Sequence, residues 1–183
     1  QDWKQKYPVV LPKYKESKNT VNSFYFIQVL SEKLDKKAVI VTDMGTSFTC
    51  TMQTFEIKLG QRLSTSSGHA SMGFGLPGAI GACIGNNRKD TICISGDGGL
   101  QMNIQELQTI VHYNLPIKLF VLNNKGYLTI KATQQNHFGR FVGAEQGSGV
   151  TCPDIIKIAT AYGLPSSRIS NTEELNLKID SIL

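Results

Sequence analysis

The chain alternates between stretches with helical spacing of apolar residues and short runs that are almost wholly apolar. IKLFVL at 117–122 is one such run, as expected for a parallel strand covered on both faces. Strands that alternate with helices predict an α/β fold with a doubly wound, mostly parallel sheet and helices on both faces. The helical spacing, with steps of three or four residues, is illustrated by Leu100, Ile104, Leu107 and Val111.

These patterns give a complete set of predicted elements. The helices are expected at 21–35, 46–58, 71–86, 103–113, 127–135 and 153–162, with a final helix from 172. The strands are expected at 38–42, 91–95, 117–122 and 167–170, with a short extended segment at 62–65. Together they form one domain at 21–183, whereas residues 1–20, with their prolines and lysines, are expected to be a linker from an upstream domain.

Composition and charge indicate which classes of partner and metal site are disfavoured. The net charge is +5, but much of it comes from lysines in the first eighteen residues, so a nucleic-acid partner is disfavoured. The apolar runs are far shorter than the ~20 residues of a membrane helix, and the first twenty residues carry no secretion signal. The four cysteines form no CxxC pair, which favours free thiols and a cytoplasmic location. The scattered histidines indicate no zinc or iron site.

Two polar sequences follow neighbouring strands of the predicted sheet. GDGG at 96–99 follows one strand, and Asn123 and Asn124 follow the next. A helical crossover makes these strands parallel, so their carboxyl ends share one edge, where such sheets bind ligands. Each sequence alone could be an ordinary turn. Together, the Asp97 carboxylate and the Asn124 amide oxygen predict a Mg²⁺ site with a diphosphate among its ligands.

The glycines beside Asp97 favour the same interpretation. Gly96, Gly98 and Gly99 are expected to leave backbone N–H groups accessible ahead of the predicted helix 103–113, where the helix dipole favours anions. The sequence matches neither the phosphate loop of nucleoside triphosphatases nor the dinucleotide fingerprint.

GDG followed at this interval by NN resembles the signature of thiamine-diphosphate-dependent enzymes. TDMGTS at 42–47 resembles the family segment that approaches the diphosphate, and SGHASMGFGLPGAIGA at 67–82 resembles the segment that holds the aminopyrimidine ring. The resemblance covers about residues 21–183. It is a resemblance to the C-terminal diphosphate-binding domain of the acetolactate synthase and pyruvate decarboxylase group.

The resemblance implies a role for each matching residue. Asp97, the Asn124 side chain and the Gly126 carbonyl would hold Mg²⁺. The Ala70 carbonyl would meet the amino group of the aminopyrimidine, and Met72 would support the bent cofactor between its two rings. The residues expected to bind thiamine diphosphate are Gly45, Thr46, Ser47, Ala70, Ser71, Met72, Gly96, Asp97, Gly98, Gly99, Asn124, Gly126, Tyr127 and Leu128.

One catalytic group of this family has no counterpart in the chain. A glutamate that protonates the aminopyrimidine activates the cofactor, and the resemblance implies that a separate N-terminal pyrimidine-binding domain supplies it across a subunit interface. The full enzyme is accordingly expected to be a homodimer or homotetramer. Glu106 is not expected to replace this glutamate. The chain alone is expected to fold without turning over substrate.

The residues after Asn124 bear on the reaction. Six residues further on, simple decarboxylases carry an acid and acetolactate synthases an aliphatic residue, and this chain has Ile130. The resemblance therefore implies decarboxylation of a 2-oxo acid such as pyruvate and ligation of the acyl unit to an acceptor. Thr129 and Thr133 replace the synthases' methionine and tryptophan, so the acceptor is expected to be larger or more polar than pyruvate. The alternatives are a simple 2-oxo acid decarboxylase and a non-catalytic module that binds a phosphorylated ligand.

Overall fold

A parallel sheet organises the chain. The computed structural model describes residues 2–183, and the sheet strands within them lie in the order β2-β1-β3-β4, with every neighbouring pair parallel. The predicted α/β class and parallel sheet are therefore confirmed. The strands are β1 (Val39–Thr42), β2 (Arg62–Ser64), β3 (Thr91–Gly96) and β4 (Ile117–Leu122).

Helices connect the strands, and further helices precede β1 and follow β4 in the chain. Short 3₁₀ turns occur at Pro12–Lys15, Ile104–Glu106 and Gln146–Ser148. The α-helices in the described residues are α1 (Asp2–Lys6), α2 (Ser23–Lys33), α3 (Thr46–Thr54), α4 (Gly75–Gly85), α5 (Asp97–Met102), α6 (Leu107–Tyr113), α7 (Leu128–Phe138), α8 (Ile155–Ala161) and α9 (Thr172–Ile182).

Each face of the sheet has its own apolar core. Successive residues of a strand point to opposite faces, so Ile40 packs against α2 and α9 while Val41 packs against α4. Helices α4, α5 and α6 build the second core. The largest fully buried side chains of the first core include Ile27, Leu30, Leu175 and Ile179. Helices thus cover both faces, as predicted for a doubly wound sheet.

Strand β4 is less buried than its sequence predicts. It forms an edge of the described sheet, and each of its residues is only half-buried. The strand predicted at 167–170 does not form. Its backbone groups bond instead to side chains of α9, since the Ser170 N–H donates to Glu174 and the Arg168 carbonyl accepts from Lys178.

Two predicted helices begin well away from their expected first residues. Helix α4 begins at Gly75 rather than at 71, because Ala70 and Gly73 have φ values of +54° and +86° that no right-handed helix contains. The predicted helix at 103–113 begins instead at Asp97 and is broken at Asn103, whose backbone (φ −136°) leaves the helical region. GDGG is therefore the start of a helix rather than a loop.

Residues 2–20, predicted to be a linker, contain α1 and a 3₁₀ turn and contact the domain. Tyr14 stacks on Phe24 of α2 with ring centroids 6.2 Å apart, and the Ser17 carbonyl accepts a hydrogen bond from the Thr172 N–H. Among the residues that the structure describes, no helix combines the length and apolarity needed to cross a membrane.

Candidate functional site

The carboxyl ends of β3 and β4 are joined through one side chain. Asp97 is 1% exposed, and one of its carboxylate oxygens accepts hydrogen bonds from the N–H groups of Lys125 (2.6 Å) and Gly126 (3.2 Å). The other oxygen accepts from the N–H of Gly98 at 2.8 Å. The two polar sequences that follow these strands therefore meet at Asp97, as their parallel pairing predicts.

Asn124 brings an unsatisfied polar atom to the same place. Its Oδ1 is buried and has no hydrogen-bond partner among the described residues, an arrangement that is costly unless a ligand completes it. Three backbone N–H groups and the Cys152 thiol bond to the Asp97 carboxylate, and the thiol is a weak donor that a metal ion can displace. Oxygens of this kind suit a hard cation such as Mg²⁺.

Gly126 allows the loop after β4 to pass close to its neighbours. Its φ is +143°, and a Cβ there would collide with the Ala144 carbonyl oxygen. The neighbouring Tyr127 N–H donates to that same carbonyl at 2.9 Å, which fixes the loop in this position. Only glycine fits these constraints without strain.

A cavity of about 360 Å³ lies at this edge of the sheet. Its volume falls within the range of small-molecule and cofactor sites. Four chain segments contribute to its wall, namely the turn after β1, the turn segment before α4, the sequence that follows β3 and the sequence that follows β4. The predicted cofactor-binding residues that line it are Gly45, Thr46, Ala70, Met72, Gly96, Asp97, Gly98, Gly99, Asn124, Gly126, Tyr127 and Leu128.

Some predicted residues lie elsewhere. Ser47 is fully buried and donates its hydroxyl to the Met44 carbonyl at 3.0 Å, so it supports the turn from beneath, and the exposed Ser71 is also outside the cavity wall. Of the predicted substrate residues, Thr129 lines the cavity, whereas Ile130 and Thr133 do not. Thr133 donates its hydroxyl to the Thr129 carbonyl at 3.1 Å.

The amino end of α3 opens into the cavity. Thr46 begins this nine-residue helix, and no side chain caps its first N–H groups. Uncapped N–H groups and the helix dipole favour an anion. The Thr129 hydroxyl lies across from this turn, because a Cβ on Gly45 would be 3.7 Å from its Oγ1.

Ala70 has a backbone conformation that is rare outside glycine. Its φ of +54° costs about 1 kcal/mol or more, and such strain clusters at ligand-binding positions. The Ala70 N–H donates to the Ser66 carbonyl at 2.8 Å, which holds the turn in this conformation at the cavity wall.

The sequence patterns missed several residues of this region. The most buried of them is Asp43, which is 0% exposed and directly follows β1 at the same sheet edge as Asp97. A carboxylate at the end of an apolar strand is the signal that could have identified it. Glu106, which was not expected to be catalytic, accepts a hydrogen bond from the Thr109 hydroxyl at 2.8 Å and lies outside the cavity wall. The missed wall residues are Met44, Phe48, Thr49 and Ser67.

The pKa values of two cysteines reflect the negative charge at this edge of the sheet. Burial, and secondarily the negative charge of Asp43, raises the pKa of the Cys93 thiol. Burial, followed by the charge of Asp97 and a hydrogen bond with it, raises the pKa of Cys152. Each carboxylate therefore disfavours a neighbouring thiolate, and the same field favours a cation.

Comparison with known proteins identifies the family of the chain. Residues 43–183 match the family described as "Thiamine pyrophosphate enzyme, C-terminal TPP binding domain". The chain is 36% identical over 184 residues to the acetolactate synthase large subunit of Cyanidium caldarium, covering 99% of this chain and 30% of that protein. It is 37% identical over 174 residues to that of Pyropia yezoensis (94% of this chain, 28% of that protein). It is 34% identical over 177 residues to acetolactate synthase 2, chloroplastic, of Brassica napus (93% and 28%).

The family match covers more than half of the chain, and the chain spans less than a third of the length of these relatives. The chain belongs to the family of C-terminal thiamine pyrophosphate (thiamine diphosphate) binding domains of thiamine pyrophosphate enzymes.

Proposed function

We propose that the cavity binds thiamine diphosphate together with Mg²⁺, and that the Asp97 carboxylate, the Asn124 side chain and the Gly126 carbonyl hold the metal ion. The observation that carries this proposal is the buried Asn124 Oδ1, which has no partner in the described residues and belongs to the loop whose Lys125 N–H donates to Asp97. Mg²⁺ satisfies such an oxygen and accepts diphosphate oxygens as its remaining ligands.

The rest of the cavity wall supports this proposal. The uncapped amino end of α3 at Thr46 suits a diphosphate. At the other end of the site, which would hold the rings of the cofactor (the ring end), Ala70 contributes a carbonyl and Met72 an apolar side chain. When bound, thiamine diphosphate supplies the carbanion stabilisation that decarboxylation of a 2-oxo acid requires. The chain's own residues bind it, orient it and limit access of water.

The reaction of the whole protein is proposed to be decarboxylation of a 2-oxo acid, such as pyruvate, with ligation of the acyl unit to an acceptor. The relatives named acetolactate synthase support this reaction type. Ile130 supports it through its place in the sequence, six residues after Asn124 and next to the cavity-lining Thr129, because an aliphatic side chain there cannot donate the proton that would release an aldehyde. The hydroxyl of Thr129, at the cavity wall, supports an acceptor that is larger or more polar than pyruvate.

The activating glutamate is proposed to come from a pyrimidine-binding domain of a neighbouring subunit in a homodimer or homotetramer. Exposed apolar side chains near the cavity support a docking surface of this kind, since such residues in a group usually mark an interface. Met72 is 37% exposed, Leu128 46% and Ile130 37%.

Calorimetry tests the cofactor proposal. Thiamine diphosphate is titrated into the protein expressed from its complete reading frame, with Mg²⁺ and then with a chelator. Binding is expected to require the metal ion and to be lost in Asp97→Ala. Asp90→Ala is the matched control, because Asp90 lies at the opposite end of β3, 68% exposed, and pairs with Lys118. Cofactor affinity unchanged by the chelator and by Asp97→Ala would refute the proposed metal site.

Product analysis tests the reaction. The same protein is given pyruvate with a panel of 2-oxo acids and sugar-like aldehydes, and hydroxyketone products are expected. Acetaldehyde as the dominant product with every acceptor would identify a simple decarboxylase. Tight cofactor binding without release of carbon dioxide from any 2-oxo acid would indicate a non-catalytic binding module.

A further inference from the structure

Asp43 is a buried carboxylate that contacts the cavity wall from behind. It is 0% exposed and does not itself line the cavity. One oxygen accepts hydrogen bonds from the N–H groups of Met44 at 2.8 Å and Gly73 at 3.0 Å. The other accepts from the Ser95 hydroxyl at 2.9 Å. One side chain therefore joins the turn after β1, the turn segment before α4, and the end of β3.

The surrounding glycines show how closely these segments approach Asp43. A Cβ on Gly75 would be 2.8 Å from the Asp43 Cβ, and a Cβ on Gly99 would be 2.6 Å from its Oδ2. Larger residues at either position would force the segments apart. The glycines around Asp43 thus allow these segments to pack directly against its side chain.

Gly73 is held on both sides. Its N–H donates to Asp43, and its carbonyl accepts a hydrogen bond from the Asn103 side-chain amide at 2.8 Å. A Cβ on Gly73, where φ is +86°, would be 2.7 Å from the Cβ of Met102. Because Gly73 directly follows Met72, these two hydrogen bonds also restrict the position of Met72 at the cavity wall.

We infer that Asp43 is a positioning residue that sets the ring end of the cofactor site, at Ala70 and Met72, relative to its diphosphate end. This inference rests on the proposed function. The turn after β1, at the diphosphate end, is also held by a backbone hydrogen bond, because the Asp43 N–H donates to the Ile94 carbonyl at 2.8 Å. This bond does not depend on the Asp43 side chain. Loss of the carboxylate should therefore displace the turn segment before α4 more than the turn after β1.

Two ligands distinguish a positioning role of Asp43 from a general contribution to the stability of the protein. Thiamine diphosphate reports on both ends of the site, whereas inorganic pyrophosphate reports on the diphosphate end alone. Both are titrated with Mg²⁺ into the protein expressed from its complete reading frame, after circular dichroism has confirmed a cooperative melt. Asp43→Ala is expected to weaken thiamine diphosphate binding about tenfold or more. Pyrophosphate binding is expected to change by less than about threefold.

Asp43→Asn is the conservative variant. Its amide oxygen can still accept from Met44 and Gly73, and its NH₂ group can donate to the Ser95 hydroxyl oxygen while that hydroxyl donates to the Gly96 carbonyl, now 3.2 Å away. We expect thiamine diphosphate affinity within about threefold of the native protein. If Asp43→Ala does not melt cooperatively, Ser95→Ala replaces it, with a smaller but equally selective loss expected.

The contrary outcomes are distinct. Equal weakening of both ligands, or no weakening of either, would overturn the positioning role, and so would an Asp43→Asn variant as weak as Asp43→Ala. In the Ser95→Ala arm, an unchanged ratio of the two affinities has the same meaning. Native protein that binds neither ligand would overturn the proposed function, and this inference with it.

Discussion

Substitution of Gly126 by alanine would place a methyl group where the structure has no room. A Cβ on this residue would collide with the Ala144 carbonyl oxygen and would lie 3.3 Å from the Glu145 Cα. The loop cannot easily move away, because the Gly126 N–H is bound to Asp97 and the Tyr127 N–H to the Ala144 carbonyl. Either the collision remains or one of these hydrogen bonds breaks.

The expected cost has two components. A strained backbone conformation costs about 1 to 3 kcal/mol, and an extra methyl in a packed position costs about 1 to 3 kcal/mol. We therefore expect Gly126→Ala to lower the free energy of unfolding by about 2 to 6 kcal/mol. Gly139→Ala is the matched control, because Gly139 has a φ of +61° and, apart from its own residue and its chain neighbours, no described atom packs within 4 Å of the place that its Cβ would take. That control should lose only about 1 to 2 kcal/mol.

Urea titration of the 183-residue chain, followed by circular dichroism, measures both variants against the native sequence. The midpoint should fall for both, with similar slopes, and should fall further for Gly126→Ala. If Gly126→Ala were no more destabilising than Gly139→Ala, the steric argument for a glycine at 126 would be wrong.

Other predictions concern the core, the pH dependence and the thiols. Ile27→Ala should lower the free energy of unfolding by about 2 to 5 kcal/mol in urea titration, whereas Leu177→Ala, 73% exposed, should change it by less than about 0.5 kcal/mol. The Ser170 N–H, and then Lys178, hold the pKa of Glu174 below its ordinary value. The stability from this depressed pKa is present above the unfolded-state pKa and is lost as pH falls through the folded-state pKa. Glu174→Gln should therefore be less stable than the native chain at pH 7 but not at pH 2; an equal difference at both would contradict this. A thiol reagent should modify at most one cysteine before unfolding and four afterwards, and rapid native reaction of a second would contradict the burial of Cys50, Cys83 and Cys93.

The alternating pattern predicted the sheet well because local and tertiary preferences agree there. Strands β1 and β3 are central and buried, so their apolar sequences reflect contacts on both faces. The pattern was less informative at the sheet edge. IKLFVL is as apolar as a central strand, yet β4 is half-buried at the edge of the described sheet, and the segment 167–170 that was predicted to be a strand is bound to α9 instead. Periodicity does not encode that competition between strand pairing and side-chain hydrogen bonds.

Helix starts were harder to predict than helix existence. At α2 the signal is local, because the Asn22 side chain accepts hydrogen bonds from the N–H groups of Phe24 and Tyr25, and the observed start lies close to the predicted one. At α4 the cause is tertiary. Asp43 and Asn103 hold Gly73 outside the helical region, and both are distant in sequence.

The candidate site was predicted to the extent that its residues follow the carboxyl ends of strands. Asp97 and Asn124 do so visibly, and the structure brings their segments together. Ser47 lies within a matching sequence but inside the helix turn, where its hydroxyl bonds to the backbone. Which side of a turn faces a cavity depends on the backbone angles φ and ψ, and residue types alone do not determine these angles.

Asp43 and Asp97 show why a buried carboxylate at this edge needs its surroundings before it can be assigned a role. Each is at most 1% exposed, follows a central strand and accepts at least three hydrogen bonds. The space beside them differs. Gly99 packs so closely against Asp43 that even a methyl group would be 2.6 Å from its oxygen, whereas Asp97 lines the cavity near the unpartnered Asn124 oxygen. A carboxylate that is closed in by protein can only hold protein in place, and one that opens on a cavity can bind what enters it.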